Sequence, residues 1–483
     1  MIYKSSLALF TDLYQLTMAY GYWKTNMLNK RAVFHLNFRK MPFNGSYAIM
    51  AGVQTAVEFI QNFRFDLSDV EYLSTLKTSD NEPLFEDKFL EYLLNFKFSG
   101  NLHAVEEGNL VFPYVPMLRV EAPILQAQLL ESPILNVINY QTLIATKAAR
   151  VCHAAQDDTV VEFGMRRAQG IDGAISASRA AYIGGCHSTS HVLAGKLFDI
   201  PVKGTHAHSW VMAFEEEITA FSEYANVMPQ NCVLLIDTYD TVEGVKKAIQ
   251  VAKNIKRKNF NLLAVRLDSG DLNFLSIEIR KILDSHGFEK TKIMASNELD
   301  EYLIRDLKQQ GTKVTIWGVG TKLITGNDQP ALDGVYKLSA ITDDKGKWKY
   351  KLKLSEQTAK STNPGILQAR RFYKDNKYLF DVIYDENFKI SQNFEAVHVR
   401  DFSKVRKKTE GVEHKDLLVP IIQDGKIVYK FPNLKEIRER SINEVKMLFP
   451  SMQRFLNPEP YFVGLEKKLH DFKINLMNKM RKL

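Results

Sequence analysis

The stretch CVLLIDT (232–238) is an apolar run that ends in polar residues, and the amphipathic stretch VEGVKKAIQVAKNIK follows it closely. The same pattern recurs at NLLAVRLDS (261–269) and TKIMAS (291–296), each of which precedes a helix-like segment. Nearly continuous apolar strands that alternate with amphipathic helices indicate βαβ units. The sequence therefore predicts a parallel sheet that is buried on both faces.

The pattern extends in both directions from this stretch. TVVEFGM (159–165) and IPVKGT (200–205) are predicted strands before it, and VTIWGVG (314–320) closes the series. Six strands in about 160 residues fit either a barrel or a doubly wound sheet. A polar motif follows nearly every strand, which favours a barrel, because barrels collect functional residues at one mouth. Since six strands are fewer than eight, we predict an α/β fold with an irregular or incomplete (β/α) barrel.

The flanks of the chain have a different pattern. Residues 32–50 alternate between the two faces of a strand, which predicts antiparallel sheet with one covered face, and short alternating strands return after residue 335. We therefore expect a second, α+β domain built from both chain ends. The predicted domains are an N-terminal α+β domain over 1–135, a barrel-like domain over 136–335, and a C-terminal segment over 336–483 that returns to the α+β domain.

Three other segments have distinct patterns. Residues 131–151 read as a long helix that leads into the barrel, and residues 400–416 read as an exposed linker. The basic tail, residues 466–483, predicts a solvated terminal helix, with an amphipathic partner helix as the alternative.

Composition excludes several classes of protein. The chain has 483 residues, a formal net charge of +8 and 45% hydrophobic residues. Its basic residues are scattered and not interleaved with aromatic ones, so we expect no nucleic-acid partner. No apolar run reaches the roughly 18 residues that would span a bilayer, and no signal segment begins the chain, so we expect a cytoplasmic protein without a membrane partner. Three widely spaced cysteines predict reduced thiols.

Charged side chains and glycines stand at the predicted strand ends. RLDSGD places Arg266, whose planar guanidinium suits carboxylate or phosphate, beside Asp268 and Asp271. Two nearby carboxylates could hold Mg²⁺ or orient a polyol, and Asp237 and Asp240 repeat this arrangement in IDTYDT. SNELDE (296–301) and GVGT (318–321) follow the last two strands, where barrels often bind phosphate. These motifs predict a mouth that binds a ligand with several negative charges. A structural ion pair in RLDSGD and a plain tight turn in GVGT are the alternatives.

Two histidines, His206 and His208, stand in GTHAHS (204–209). A zinc site needs three or four suitably spaced ligands, and no cysteine lies nearby, so we predict no protein-bound metal here. His206 is either a core histidine or a functional one. An imidazole beside a phosphate site can carry a proton or act as a nucleophile, and the residues alone leave open which of the two histidines does so.

Taken together, these motifs resemble the nicotinate phosphoribosyltransferase family in its longer bacterial and eukaryotic form. The resemblance begins with FTDLYQLTMAYGYW (10–23), continues through INYQTLIATKAAR (138–150) and EFGMRRAQGIDGA (162–174), and extends to about residue 364. It implies transfer of a phosphoribosyl group to nicotinate, coupled to ATP hydrolysis and leading to NAD. It also implies Mg²⁺ that accompanies the diphosphate and ATP, and a homodimer.

The resemblance also implies residue roles. His208 matches the histidine that ATP phosphorylates, and His206 falls on a variable position of the motif. The residues expected at nicotinate are Tyr14 (from the neighbouring subunit), Arg166, Thr205 and Arg266. The residues expected to bind 5-phosphoribosyl 1-diphosphate are Asp268, Ser296, Asn297, Gly318, Gly320 and Thr321.

One segment departs from the family pattern. IGGCHSTSHVLAG (183–195) matches only in part, and Cys186, His187 and His191 are unusual there.

Two other functions compatible with the sequence are a related transferase that uses nicotinamide or quinolinate, and a sensor that binds pyridine nucleotides without turnover.

Overall fold

The computed structural model describes residues 7–255, 261–354, 362–388, 390–391, 393–407 and 410–481. The chain divides into two compact units. One contains residues up to Leu143 together with Ala331–Asn433 and Asn443–Leu483, and the other contains Ile144–Pro330 and Leu434–Ile442. The first unit is thus built from both chain ends, and the second from the middle of the chain.

The helices and strands are numbered along the chain. The α-helices are α1 Leu13–Lys24, α2 Val53–Asn62, α3 Leu67–Ser74, α4 Asp87–Leu94, α5 Ile124–Leu129, α6 Glu131–Ala155, α7 Gly170–Ile183, α8 Val192–Phe198, α9 His208–Met212, α10 Glu217–Val227, α11 Thr241–Asn254, α12 Leu272–Ser285, α13 Glu301–Gln309, α14 Thr321–Ile324, α15 Leu434–Lys446 and α16 Lys467–Arg481. The strands are β1 Arg31–Asn37, β2 Ala48–Ile49, β3 Asn101–Val105, β4 Leu110–Val111, β5 Leu118–Pro123, β6 Thr159–Glu162, β7 Ser188–Thr189, β8 Cys232–Leu235, β9 Leu262–Leu267, β10 Lys292–Ala295, β11 Ile316–Val319, β12 Val335–Thr342, β13 Trp348–Tyr350, β14 Leu367–Lys374, β15 Lys377–Asp385, β16 Glu395–His398, β17 Val405–Lys407, β18 Glu413–Asp416, β19 Leu418–Gln423, β20 Lys426–Ile427 and β21 Phe462–Glu466.

The middle unit contains a six-stranded sheet in the order β7-β6-β11-β10-β9-β8. All its pairings are parallel. Because the two terminal strands do not pair with each other, the barrel is open, and the predicted incomplete barrel is confirmed. The strand predicted over 200–205 is wrong: Val202 makes only an isolated bridge to Thr189, and Ser188–Thr189 takes the place beside β6.

The first unit contains two larger sheets. A seven-stranded sheet in the order β13-β12-β1-β5-β3-β19-β20 mixes strands from both chain ends, as predicted, and a six-stranded sheet has the order β17-β16-β21-β15-β14-β18. In β1 the pairings are antiparallel, also as predicted. The single covered face is wrong, because successive residues Val33, Phe34, His35 and Leu36 are all buried.

Three local predictions have different outcomes. The long helix over 131–151 is confirmed as α6, and the tail forms α16. The exposed linker over 400–416 is wrong in part, since β17 pairs with β16 and β18 pairs with β14; residues 408 and 409 lie outside the described residues. Among the helices that the structure describes, none combines the length and the apolar character needed to cross a bilayer.

Candidate functional site

Strand-end residues of the parallel sheet line one pocket with a cavity volume of about 140 Å³. The sheet brings together four segments that are distant in sequence, because the carboxyl ends of parallel strands share one edge. The lining residues are Phe163, Arg166, Arg167, Arg266, Asp268, Ser296, Asn297, Glu298, Gly318, Gly320 and Thr321. Every residue that the sequence assigned to the phosphoribosyl donor therefore lies at this pocket, together with Arg166 and Arg266.

The positive charge of the pocket comes from three arginines. Arg166 and Arg167 lie in a 3₁₀ turn, Met165–Arg167, directly after β6, and both are exposed. Among the described residues, neither has an ion-pair partner, whereas Arg266 pairs with Asp268. Two unpaired guanidinium groups beside a paired one make this pocket attractive to a polyanion.

Arg266 connects the ends of β9 and β10 and the loop that carries Thr205 through hydrogen bonds. Its Nε donates to Ser296 Oγ at 2.9 Å, and its Nη2 donates to Asp268 Oδ1 at 2.9 Å. A longer contact, 3.4 Å, joins Nη1 to Thr205 Oγ1. The guanidinium also lies 5.6 Å from the centre of the Phe163 ring. Arg266 is 13% exposed, so its orientation is fixed before any ligand binds.

The end of β11 approaches Phe163 closely because Gly318 and Gly320 lack side chains. A Cβ at Gly318 would lie 2.8 Å from Phe163 Cδ2, and one at Gly320 would lie 3.3 Å from the Phe163 carbonyl oxygen. Close approach of this kind requires glycine. Sequence reasoning did not single out Phe163, although its place between Glu162 and Arg166 in the EFGMRR motif was a usable signal.

His208 begins α9 and is 39% exposed. Its Nδ1 lies 3.1 Å from Thr238 Oγ1, and its Nε2 lies 3.9 Å from Asp268 Oδ2. Sequence reasoning noted the two aspartates of IDTYDT and missed Thr238, the residue that holds the ring. His208 is thus oriented at one nitrogen, and its other nitrogen faces a carboxylate of the pocket.

His206 has a different environment. It is buried, its Nε2 accepts the Leu235 N–H at 3.2 Å, and its ring packs edge-on against Tyr224. Because Nε2 is an acceptor, Nδ1 carries the proton and can donate to the Ala207 carbonyl at 3.2 Å. Burial lowers the pKa of His206 from 6.5, against the hydrogen bond to Ala207, with Arg266 and His208 adding to the decrease. The structure therefore favours the core histidine over the functional one.

Three strand-end aspartates cap helices. Asp240 accepts the Glu243 N–H at the start of α11, and Asp271 accepts the Phe274 N–H at the start of α12. Asp300 accepts two backbone N–H groups at the start of α13. Capping stabilises a helix by about 1 kcal/mol. This structural role explains Asp240 and Asp271, which the sequence had offered as possible Mg²⁺ ligands.

Thr205 lies at a second cavity, about 420 Å³, lined by residues of β6, β8, β9, β10 and β11. Phe163 lines both cavities.

Tyr14 belongs to the other unit, where it lies in the first turn of α1 and is 49% exposed. Burial and then the charge of Glu131 raise its pKa from 10.0.

The unusual segment after α7 lies alongside β6. His187 Nδ1 accepts the Val160 N–H at 3.1 Å, and the backbone N–H of Ser190 donates to the Glu162 carbonyl at 3.0 Å. Arg438 donates to the carbonyl of Cys186. The cysteines are free thiols, as predicted. His187 therefore holds a backbone N–H of β6 from an exposed position, whereas Cys186 is buried. No group of three or more metal-binding side chains occurs in the described part of the chain.

Together, the fold and the pocket are those of an open α/β barrel whose strand ends carry cationic side chains suited to a polyanionic ligand. Family models match three regions: the nicotinate phosphoribosyltransferase N-terminal domain over 9–139, the family model over 159–382 and the C-terminal domain over 368–473. Nicotinate phosphoribosyltransferase of Bacillus subtilis (strain 168) is 42% identical over 99% of this chain and 96% of the relative. The relative of the same name from Homo sapiens is 33% identical over 95% of each chain.

A solved structure gives the same result. The crystal structure of human nicotinic acid phosphoribosyltransferase superimposes with a TM-score of 0.82 at 30% identity, covering 97% of this chain and 99% of that one. The chain therefore belongs to the nicotinate phosphoribosyltransferase family, whose members are enzymes of NAD biosynthesis.

Proposed function

We propose that this chain joins nicotinate to 5-phosphoribosyl 1-diphosphate, giving nicotinate mononucleotide and diphosphate, and that it hydrolyses ATP to ADP and phosphate in the same cycle. The single observation that carries this proposal is the pocket itself. Arg166 and Arg167, both without ion-pair partners in the described chain, face the glycine-containing end of β11 across a cavity of about 140 Å³. A ligand with two phosphate-bearing ends and a compact sugar suits such a site.

The bond change needs little acid–base chemistry. The lone pair of the pyridine nitrogen attacks C1 of the ribose, and the C–O bond to the diphosphate breaks, so the electron pair leaves with diphosphate. Catalysis then depends on positioning and on stabilising charge. Arg266, held by Ser296 and Asp268, provides a fixed cation. In the proposal, Arg166, Thr205, Arg266 and Tyr14 bind nicotinate, Tyr14 from a neighbouring subunit.

The donor occupies the polar side of the pocket in this proposal. Its phosphate groups meet the loop after β10, Ser296 and Asn297, and the loop after β11, with Gly318, Gly320 and Thr321. Asp268 contacts the ribose. Mg²⁺ enters bound to the diphosphate of the donor and to ATP, where it neutralises the leaving group.

ATP acts through His208. If Nδ1–H donates to Thr238, the lone pair of Nε2 is free to attack the γ-phosphorus, and the phosphorus–oxygen bond to ADP breaks. Asp268 Oδ2, 3.9 Å away, stabilises positive charge on the ring as the new bond forms. Water later cleaves the phosphohistidine to release phosphate. The added charge can reorder neighbouring loops and so alter affinity for the donor.

The direct test is diphosphate release from 5-phosphoribosyl 1-diphosphate and Mg²⁺ with nicotinate, nicotinamide or quinolinate, each with and without ATP. The proposal predicts release with nicotinate that ATP stimulates. Release with another pyridine only would contradict the substrate assignment. Binding without release with all three pyridines would favour the non-catalytic sensor.

A second test addresses ATP coupling. His208→Ala removes the nucleophile, so ATP stimulation and the acid-labile phosphoprotein should both disappear while basal transfer remains. Thr238→Val, which leaves the imidazole but removes its hydroxyl partner, should slow phosphorylation without abolishing it. Full ATP coupling in His208→Ala would contradict the assignment.

We also propose a homodimer in the cytoplasm. Measurement of the mass in solution checks the homodimer, and cell fractionation checks the location.

A further inference from the structure

Glu162, the last residue of β6, is a buried carboxylate that the proposed chemistry does not use. It is 1% exposed, and it has no ion-pair partner within the part of the chain that the structure describes. A buried carboxylate is costly unless hydrogen bonds compensate it. Its oxygens accept hydrogen bonds from the Gly164 N–H, from Ser178 Oγ at 2.9 Å and from Thr189 Oγ1 at 2.6 Å.

Gly164 connects this carboxylate to the pocket. A Cβ at Gly164 would lie 2.6 Å from Ile324 Cβ and 3.0 Å from the Gly320 carbonyl oxygen, so its backbone sits against the loop after β11. The Gly164 carbonyl in turn accepts the Arg167 N–H at 2.8 Å, which closes the turn that carries Arg166. Glu162 therefore holds Gly164, the residue that precedes the arginine-bearing turn, against the opposite wall of the pocket.

The two hydroxyl donors come from other elements. Ser178 lies on α7 and Thr189 on β7, and both are buried. His191 links them, because its N–H donates to Thr189 Oγ1 at 3.0 Å and its Nδ1 lies 3.2 Å from Ser178 Oγ. The segment that departed from the family pattern thus forms part of the support for Glu162.

We infer that Glu162 is a positioning residue for anion binding: it fixes the turn that holds Arg166, assigned above to nicotinate, and Arg167 at the pocket. Through Arg167 it sets the affinity for the diphosphate end of the donor. The identity of the donor rests on the proposed function. The turn that Glu162 supports acts on any ligand that carries a diphosphate group, so inorganic diphosphate is a sufficient probe.

The test compares two substitutions at Glu162. Glu162→Ala leaves the Gly164 N–H without an acceptor and frees the turn, so the KM for the donor and the Kd of Mg²⁺-diphosphate should rise by about 10- to 100-fold, since small displacements have effects of this size. In Glu162→Gln the amide oxygen can still accept the Gly164 N–H. The amide NH₂ can donate to the hydroxyl oxygens of Ser178 and Thr189, which accept as well as donate hydrogen bonds. Glu162→Gln should therefore stay within about threefold of the unmodified chain.

Asp158 offers a matched control at the opposite end of the same strand. Its Oδ2 accepts hydrogen bonds from Lys308 Nζ at 2.8 Å and from Trp317 Nε1 at 3.0 Å, and it precedes the first residue of β6. Asp158→Asn should lower the melting temperature and leave both constants unchanged. The measurements are steady-state kinetics, calorimetric titration of Mg²⁺-diphosphate and thermal unfolding of each full-length variant.

The outcomes separate the two proposals. Loss of diphosphate affinity in Glu162→Ala, with recovery in Glu162→Gln and no change in Asp158→Asn, supports the positioning role. Equal losses in Glu162→Ala and Asp158→Asn, or a Glu162→Ala variant with lowered melting temperature and unchanged Kd, would overturn it. If the unmodified chain shows no transfer, the proposed function fails, and the diphosphate titration still decides the role of Glu162.

Discussion

Replacing His206 by phenylalanine isolates the structural role of that histidine. Strand β8 is the edge of the parallel sheet, so within the described part of the chain the Leu235 N–H has no neighbouring strand on its outer side. His206 Nε2 accepts that N–H at 3.2 Å. Phenylalanine preserves the ring contact with Tyr224 but leaves the buried N–H unpaired.

The size of the effect follows from this single lost acceptor. A buried donor without a partner costs about 1–3 kcal/mol. In a unit of about 200 residues, each kcal/mol lowers the melting temperature by roughly 2–4 °C, so a loss of about 2 kcal/mol predicts a decrease of about 4–8 °C. His206→Gln can still place an oxygen at the Leu235 N–H, so it should recover part of the loss.

The pH dependence provides a second readout. Burial lowers the pKa of folded His206 below 6.5. As the pH falls below 6.5, the unfolded chain binds a proton that the folded chain does not, so this histidine lowers stability on acidification. The decrease in melting temperature between pH 7 and pH 5 should therefore be smaller in His206→Phe than in the unmodified chain.

Thermal unfolding and ATP-stimulated diphosphate release measured on the same preparations decide between stability and function. We expect His206→Phe to unfold at a lower temperature and to keep ATP stimulation. Unchanged stability with loss of ATP stimulation would refute the reasoning, because it would transfer the chemical role from His208 to His206.

Four other substitutions have clear expectations. Gly318→Ala places a Cβ 2.8 Å from the Phe163 ring, so the KM for the donor should rise in steady-state assays. An unchanged KM would show that the Phe163 ring can move aside without disturbing the pocket. Asp381→Asn removes the negative charge that pairs most closely with the fully buried Arg371 and leaves only the longer, 3.4 Å contact with Glu444, so it should cost about 3 kcal/mol in urea unfolding. Asp416→Asn, which acts on the partly exposed pair of the neighbouring Arg370, should cost less than about 1 kcal/mol; equal losses would contradict the burial argument. Burial lowers the pKa of Lys473 to about 8. Between pH 8 and 10.5 the unfolded chain therefore binds more protons than the folded chain, so the free energy of unfolding should rise with pH in that range. Lys473→Met should abolish that rise and should have a higher free energy of unfolding at pH 7 than the unmodified chain.

Much of the parallel sheet is readable from the sequence because its signals are local. The apolar runs that became β8, β9, β10 and β11 need only burial on both faces to be recognised. The mistaken strand at 200–205 has the same cause, since a short apolar run does not reveal which partner it pairs with. The two-sided burial of β1 likewise depends on elements from the other end of the chain.

The pocket is only partly readable from the sequence. Glycines and arginines at strand ends predict anion binding, because their chemistry is specific and strand ends converge. The separate roles of neighbouring polar residues are not local properties. Asp237 accepts the Asp268 N–H across the sheet at 2.6 Å, while Asp240, three residues later, caps a helix.

The sequence by itself determined the alternation of strands and helices, the charge of the pocket and the candidates for chemistry, since these depend on side-chain type and short-range spacing. Only the tertiary structure decided which histidine supports an edge strand and which faces the pocket. Their partners, Leu235 and Thr238, lie 29 and 30 residues further along the chain. Hydrogen bonds over such separations depend on strand register and side-chain direction, which are fixed only when the sheet is assembled.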